Sequence, residues 1–347
     1  MKTAKTTDYF KILSADFPEW LNDYINTKEL QTQKHISVSC GTIYSDLFKY
    51  DTFYSSLDHS IAVALIVWHF THDKKQTLAG LFHDMSTPAF KHCLDFMNGD
   101  YLKQESTEDL TTKFIEKSKD VTNLLKKDNI KIEEIDDYHI YPIADNDTPK
   151  LSADRLEYSL SNALFTYEIL SLEEIKEIYD DIEIEQNELG EPELGFKTKS
   201  IARKFVRITS KMSVLYRDDR TRFSMQFIAD ILKNLKEADE ITTQELYDNK
   251  ESDIIKKIES SEYKDVWNTW RKAKKVSTSK TEPKDVYWVH QKIKTRYIDP
   301  LCNGKRMSEI CKIAKNAIER NLSYSMDSYV YLPSIQLPTL LQTSVDD

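Results

Sequence analysis

Glycine and proline are scarce in this 347-residue chain, at 6 and 9 respectively, well below average usage. So few turn formers disfavour barrels and sandwiches, and so few glycines leave little material for loops that cradle phosphates. Cysteine is also rare. Cys40, Cys93, Cys302 and Cys311 show no CxxC spacing, which supports neither a disulfide framework nor a zinc ribbon and is expected of reduced thiols in a cytoplasmic protein. Long apolar runs are missing: the longest, Ile61 to Phe70, is about half of the roughly 20 residues that span a bilayer. The opening MKTAKTTDYF has no apolar signal core. No Walker-type or GxSxG motif occurs, so P-loop and nucleophilic-serine chemistry find no support.

What the chain does contain is charge and helix-forming composition. Its net charge of −10 argues against a protein built mainly to coat nucleic acid. The charge is uneven: residues 264–320 carry 15 Lys/Arg against 6 Asp/Glu. That segment is a candidate contact for a polyphosphate or for nucleic acid, or a solvated face paired with the acidic remainder.

Helix dominates the expected organisation. Short helices are expected within 8–30, a long apolar one over about 58–72, and a second over 74–84. Pro88 then breaks the chain before a short helical turn in AFKHCLDFM. Residues 104–127 read as helical, and a helix is expected to carry Asp154 in its first turn. The stretch 180–198 alternates Ile182/Ile184, turns through NELGEP and alternates again, which predicts a β-hairpin. Helices are expected over 199–235, then a charged helical stretch with a polar linker at 272–284. A strand over 285–301 and a last helix near 308–321 complete the reading. The domains expected are a helical core over 1–235 and a basic, mixed helix-and-strand extension over 236–347 packed on it.

Within the core, His59, the adjacent pair His83-Asp84, and Asp154 stand at the ends of apolar helical runs. Two imidazoles and two carboxylates suit a divalent cation such as Mn²⁺, Fe²⁺, Zn²⁺ or Mg²⁺. In a helical bundle, three helices can project such ligands into one cavity, and neighbouring residues at a helix end diverge by about 100°. An ion held there lowers the pKa of its water and polarises a phosphoryl oxygen.

The blocks LDHSIAVALIV, AGLFHDMSTPAFKHCLDF and SADRLEYS resemble the HD superfamily of metal-dependent phosphohydrolases, whose signature is H…HD…D. They are most similar to its deoxynucleotide triphosphohydrolases, the deoxyguanosine triphosphate triphosphohydrolases and the sterile-alpha-motif/HD-domain enzyme. The resemblance implies a mainly α, HD-domain helical bundle, with His59, His83, Asp84 and Asp154 as metal ligands. Hydroxide on the ion would attack phosphorus. One ion is expected rather than two, because only His92 and His139 lie between the HD pair and the last aspartate.

The chain departs from that subgroup at two places. Thr87 stands where the HDxGH pattern has its second histidine, and Gln104-Glu105 stands in place of a His-Glu pair. His92 and Asp95 match. Neither Thr nor Gln is a general acid near pH 7, so the proton work is expected of Glu105, Asp95 or His92. Arg155, Tyr158, Thr87 and Lys91 are the candidate substrate contacts, with Arg296 and the Lys305-Arg306 pair further candidates from the basic segment. The expected function is metal-dependent hydrolysis of a nucleotide or related phosphate ester. A catalytically reduced module that senses nucleotide or nucleic acid is the alternative, and a phosphodiesterase or nuclease a weaker one. The resemblance also implies a homo-oligomer; no membrane partner is expected.

Overall fold

The computed structural model describes residues 4–104 and 110–336. Helix makes up 54% of it and β structure is confined to small sheets, so the fold is mainly α with a small β elaboration, as the composition predicts.

The centre of the molecule is the helix Ser56–Thr71. Every residue from Ile61 to Val67 is buried, so this helix lies inside the bundle rather than on its surface. A capping box starts it: the Ser55 hydroxyl accepts from the Asp58 amide, and the Asp58 carboxylate accepts from the Ser55 amide. His72, at φ 49°, ends it in the left-handed region, and the Asp73 side chain immediately caps the next helix, Lys74–Phe82. Gly80 lets these two helices approach closely; a Cβ there would lie 3.3 Å from Val63 and Val67. The helix Ala153–Ser161, capped by Ser152, packs against Ser56–Thr71 from another side.

Two hydrophobic clusters organise the whole. One surrounds Ser56–Thr71 and extends to the helices Lys199–Leu215 and Lys312–Leu322. The other surrounds the helix Asp219–Glu237 and is built from both early residues (Cys40, Phe90, Phe96) and late ones (Trp267, Trp270, Tyr287, Val330). The 236–336 segment therefore shares a core with residues 40–96.

The expected hairpin is present. Ile182–Gln186 pairs antiparallel with Pro192–Phe196, Ile184 opposite Leu194. Leu301–Cys302 adds in parallel, and Lys305–Arg306 beyond it. Three expectations need correction. The strand expected over 285–301 reduces to Trp288–Val289 and the start of Leu301–Cys302. The apparent alternation comes from Tyr287, Val289 and Ile293 turning into the second cluster, while the backbone between finds few ladder partners. The linker at 272–284 contains a strand, Ser277–Ser279, which pairs with Tyr329–Tyr331; Trp288–Val289 lies on the other side of Tyr329–Tyr331. The helix expected over 104–127 is two helices, Thr111–Lys117 and Lys119–Lys127, divided by Ser118, which caps the second; residues 105–109 lie outside the described part.

Candidate active site

Three helices meet at one point. His59 projects from the first turn of Ser56–Thr71, His83 stands at the end of Lys74–Phe82, and Asp154 lies in the first turn of Ala153–Ser161. The His59 and His83 Nε2 atoms are 3.1 Å apart. Asp154 Oδ1 is 3.2 Å from His59 Nε2 and 3.7 Å from His83 Nε2. Asp84 approaches both rings, at 3.9 and 3.8 Å.

The remaining ring nitrogens are already committed. His83 Nδ1 donates to the Gly80 carbonyl at 2.8 Å, and His59 Nδ1 donates to the Glu157 carboxylate. Each Nε2 thus presents a lone pair toward the other, an arrangement that needs a proton or a cation between them. Burial pulls His59 down, but Glu157 and Asp154 outweigh it and push it up to about 10. For Asp154, burial is outweighed by the histidines, which hold the carboxyl down at about 2. Burial raises Asp84 too, yet Lys91 and both histidines hold it far below the usual carboxylate range. Two lone pairs and carboxylates kept ionised inside the protein are a donor set that fits one divalent cation. Among the described residues, His59, His83 and Asp154 form the one such cluster.

Glu157 was not singled out from the sequence. It is fully buried and accepts from Tyr9, Tyr54, Ser161 and His59, so its charge is satisfied on every side. The signal was available: Asp154 and Glu157 are three residues apart, on one face of a helix.

The cluster borders a cavity of about 420 Å³. Lys91, Arg155, Lys294 and Arg296 supply positive charge to its lining; Tyr50, Tyr158, Tyr167 and Tyr216 form an aromatic wall, with Asn162 and Thr166 beside it. Lys91 is buried, its Nζ 2.6 Å from Asp84 Oδ2 and 3.0 Å from Ser56 Oγ. Arg155 spends one guanidinium nitrogen on Asp145 and Asn146, at 2.9 and 2.7 Å. Burial pushes the Tyr158 phenol up to about 12, so it stays protonated.

Of the residues expected to move protons, His92 lines the cavity, and its Nδ1 lies 2.9 Å from Asp95 Oδ2. Burial lowers the His92 pKa, against the opposing pull of Asp95. Asp95 is itself fully buried behind His92 and does not line the cavity. Thr87 does not line it either. The turn after Asp84 carries Thr87 against Gln33, whose amide donates to the Thr87 carbonyl. Glu105 lies outside the described residues. Gln104 lines the cavity and accepts from Arg296 at 2.7 Å. His139 is a cavity residue as well, next to Asp137 and Asp145. Arg306 is a structural residue: its guanidinium is paired with Glu188 and Glu193 behind the hairpin.

No protein-family model matches the sequence. The uncharacterized protein YdhJ of Bacillus subtilis (strain 168) is 23% identical over 247 residues, which cover 70% of this chain and 72% of that protein. A hypothetical protein from Aquifex aeolicus has a similar structure, with a TM-score of 0.61 at 14% identity over 91% of this chain and 93% of that one. A phosphohydrolase from Bacteroides thetaiotaomicron VPI-5482 is similar too, with a TM-score of 0.59 at 13% identity over 91% and 96%. At these identities the likeness is one of fold, and it runs through nearly the whole chain, the C-terminal segment included.

Proposed function

We propose that this protein is a metal-dependent phosphohydrolase whose substrate is a nucleotide or a related small phosphate ester. The observation that carries the reading is the pair of histidine Nε2 lone pairs 3.1 Å apart beside Asp154, at the edge of a cavity with four cationic side chains. The phosphohydrolase among its structural relatives supports it.

His59, His83, Asp154 and Asp84 would hold the ion, which when bound supplies Lewis acidity and an activated water. Phosphoryl transfer otherwise asks the protein mainly for positioning and positive charge. Lys91, Lys294 and Arg296 give that charge to the phosphate, and Arg155 is pinned by Asp145 and Asn146 so that it presents a fixed edge. His92, oriented by Asp95 and kept neutral by burial, offers an imidazole at the cavity that is suited to accept a proton rather than to supply one. The tyrosine wall and Asn162 offer stacking surface and neutral hydrogen bonds to the rest of the substrate, as a nucleoside requires.

The test is incubation of the purified protein with Mn²⁺ and a mixed nucleotide pool, with Asp84→Ala as control and products read by mass spectrometry. Nucleoside plus tripolyphosphate would align it with the deoxynucleotide triphosphohydrolases, and nucleoside plus phosphate with nucleotidases. Turnover that survives Asp84→Ala would sink the metal assignment, and nucleotide binding without product would make the chain a sensor.

A further inference from the structure

Glu251 is a buried carboxylate that the chemistry above does not use. It is the first residue of the helix Glu251–Ser260, a place where acidic side chains ordinarily face water, yet it is fully buried. Its Oε1 accepts from the Phe90 amide at 3.3 Å, and its Oε2 accepts from the Tyr44 hydroxyl at 2.7 Å. The Ser37 amide donates to it as well. The two backbone segments it ties, 37–40 and 90–92, both supply cavity residues.

The second segment is strained. Phe90 and Lys91 are consecutive non-glycine residues at φ 63° and 46°, a conformation that persists where its surroundings enforce it. The enforcing contacts come from beyond residue 240: Glu251 holds the Phe90 amide, and the Leu246 carbonyl accepts from the Ala89 amide at 2.7 Å. Lys91, which this bend aims at Asp84, and His92, which it aims at the cavity, are the two residues the loop delivers.

We infer that Glu251 is a positioning residue, through which the C-terminal segment clamps the Phe90–Lys91 bend and sets Lys91 and His92 for work on phosphate. The clamp rests on the phosphohydrolase reading, so its test follows phosphate binding alongside turnover.

Glu251→Gln keeps an oxygen for the two amides; Glu251→Ala removes it. In the Mn²⁺-loaded protein, Glu251→Ala should lower kcat on the nucleotide pool by about 100-fold, the scale of an ångström-sized misplacement. It should weaken inorganic phosphate binding in calorimetry and leave Mn²⁺ affinity nearly unchanged. Glu251→Gln should restore both turnover and phosphate binding to near wild type. Turnover and phosphate binding retained in a folded Glu251→Ala protein, or lost equally in both variants, would overturn the clamp. If the wild type binds phosphate but hydrolyses nothing, the hydrolase reading fails, and the Ala-against-Gln difference in phosphate binding still decides the clamp. Should Glu251→Ala not fold, hydrogen exchange on the wild type decides it: slow exchange at the Phe90 and Ser37 amides is expected, and fast exchange there refutes it.

Discussion

A single carboxylate can set the state of an imidazole, and Glu157 does so for His59. Because Tyr9, Tyr54 and Ser161 also donate to it, Glu157 is locked in place, and the His59 tautomer with Nε2 free is locked with it. Glu157→Gln keeps the shape but can present an amide to His59 Nδ1, so Mn²⁺ affinity should fall by about 10- to 100-fold. Calorimetric titration reads this directly, and an unchanged Kd would show that His59 orients itself. Glu251 leads to a different measurement. Burial raises its carboxyl from 4.5 to about 7. The folded state therefore holds the proton more tightly than the unfolded one, so Glu251 favours folding at low pH and loses that contribution as pH climbs through 7. Between pH 5 and 8 the loss is about 2 to 3 kcal/mol. Urea unfolding of wild type and Glu251→Gln should diverge by that amount in favour of the variant as pH rises; parallel profiles would show that the carboxyl is not perturbed. The sequence pointed to His59, His83 and Asp154, which the structure brings together, because H, HD and D sit in recognisable blocks. It hid Glu251, which reads as an ordinary acidic residue at a helix start, and Lys294; it offered Gln104 and Arg296 singly but not their contact, which depends on how distant segments fold together.

Elements were legible where a local pattern determines them. The hairpin at 180–198 was visible because Ile182 and Ile184 alternate around a turn of Asn, Gly and Pro, and the central helix because its apolar run is continuous. The 285–301 segment was misread because alternation in burial does not require a ladder: Tyr287 and Val289 are buried by helix Asp219–Glu237 and its neighbours as much as by strand pairing. The joint between early and late residues inside the second cluster was likewise invisible. It is made in part by Gly41, at φ 76°, where a Cβ would stand 2.6 Å from the Phe90 ring and 2.9 Å from Ile228. Gly41→Ala would combine a left-handed backbone cost of about 1 to 2 kcal/mol with overpacking of about 1 to 3 kcal/mol. Chemical denaturation should show a loss on that scale, with the Phe90 bend disturbed. A variant as stable as wild type would mean that the ring and Ile228 yield freely and the joint is soft.

At the scale of the whole molecule, the basic segment keeps most of its lysines and arginines exposed and turns a few inward. Arg271 pairs with Glu259, Lys274 with Asp46, and Arg306 with two glutamates, while Lys294 and Arg296 face the cavity. Arg306 thus serves the fold, and Lys294 and Arg296 serve the site. Among the described residues, no helix is long and apolar enough to cross a membrane. The site gathers His59, His83 and Asp154 from three helices, so an ion held by them would stabilise the assembly as a unit. An ion that binds only the folded state adds about 2.7 kcal/mol at a hundred times its Kd, which should raise Tm by several degrees for Mn²⁺ and reverse on chelation. Asp154→Asn removes a ligand and the charge that faces both imidazoles, so its Tm should respond little to Mn²⁺. Inorganic phosphate added after the metal should raise the wild-type Tm again and leave Asp154→Asn unmoved. If phosphate stabilised both proteins equally, the anion would be held by the cationic side chains alone, and metal and phosphate would not share one site.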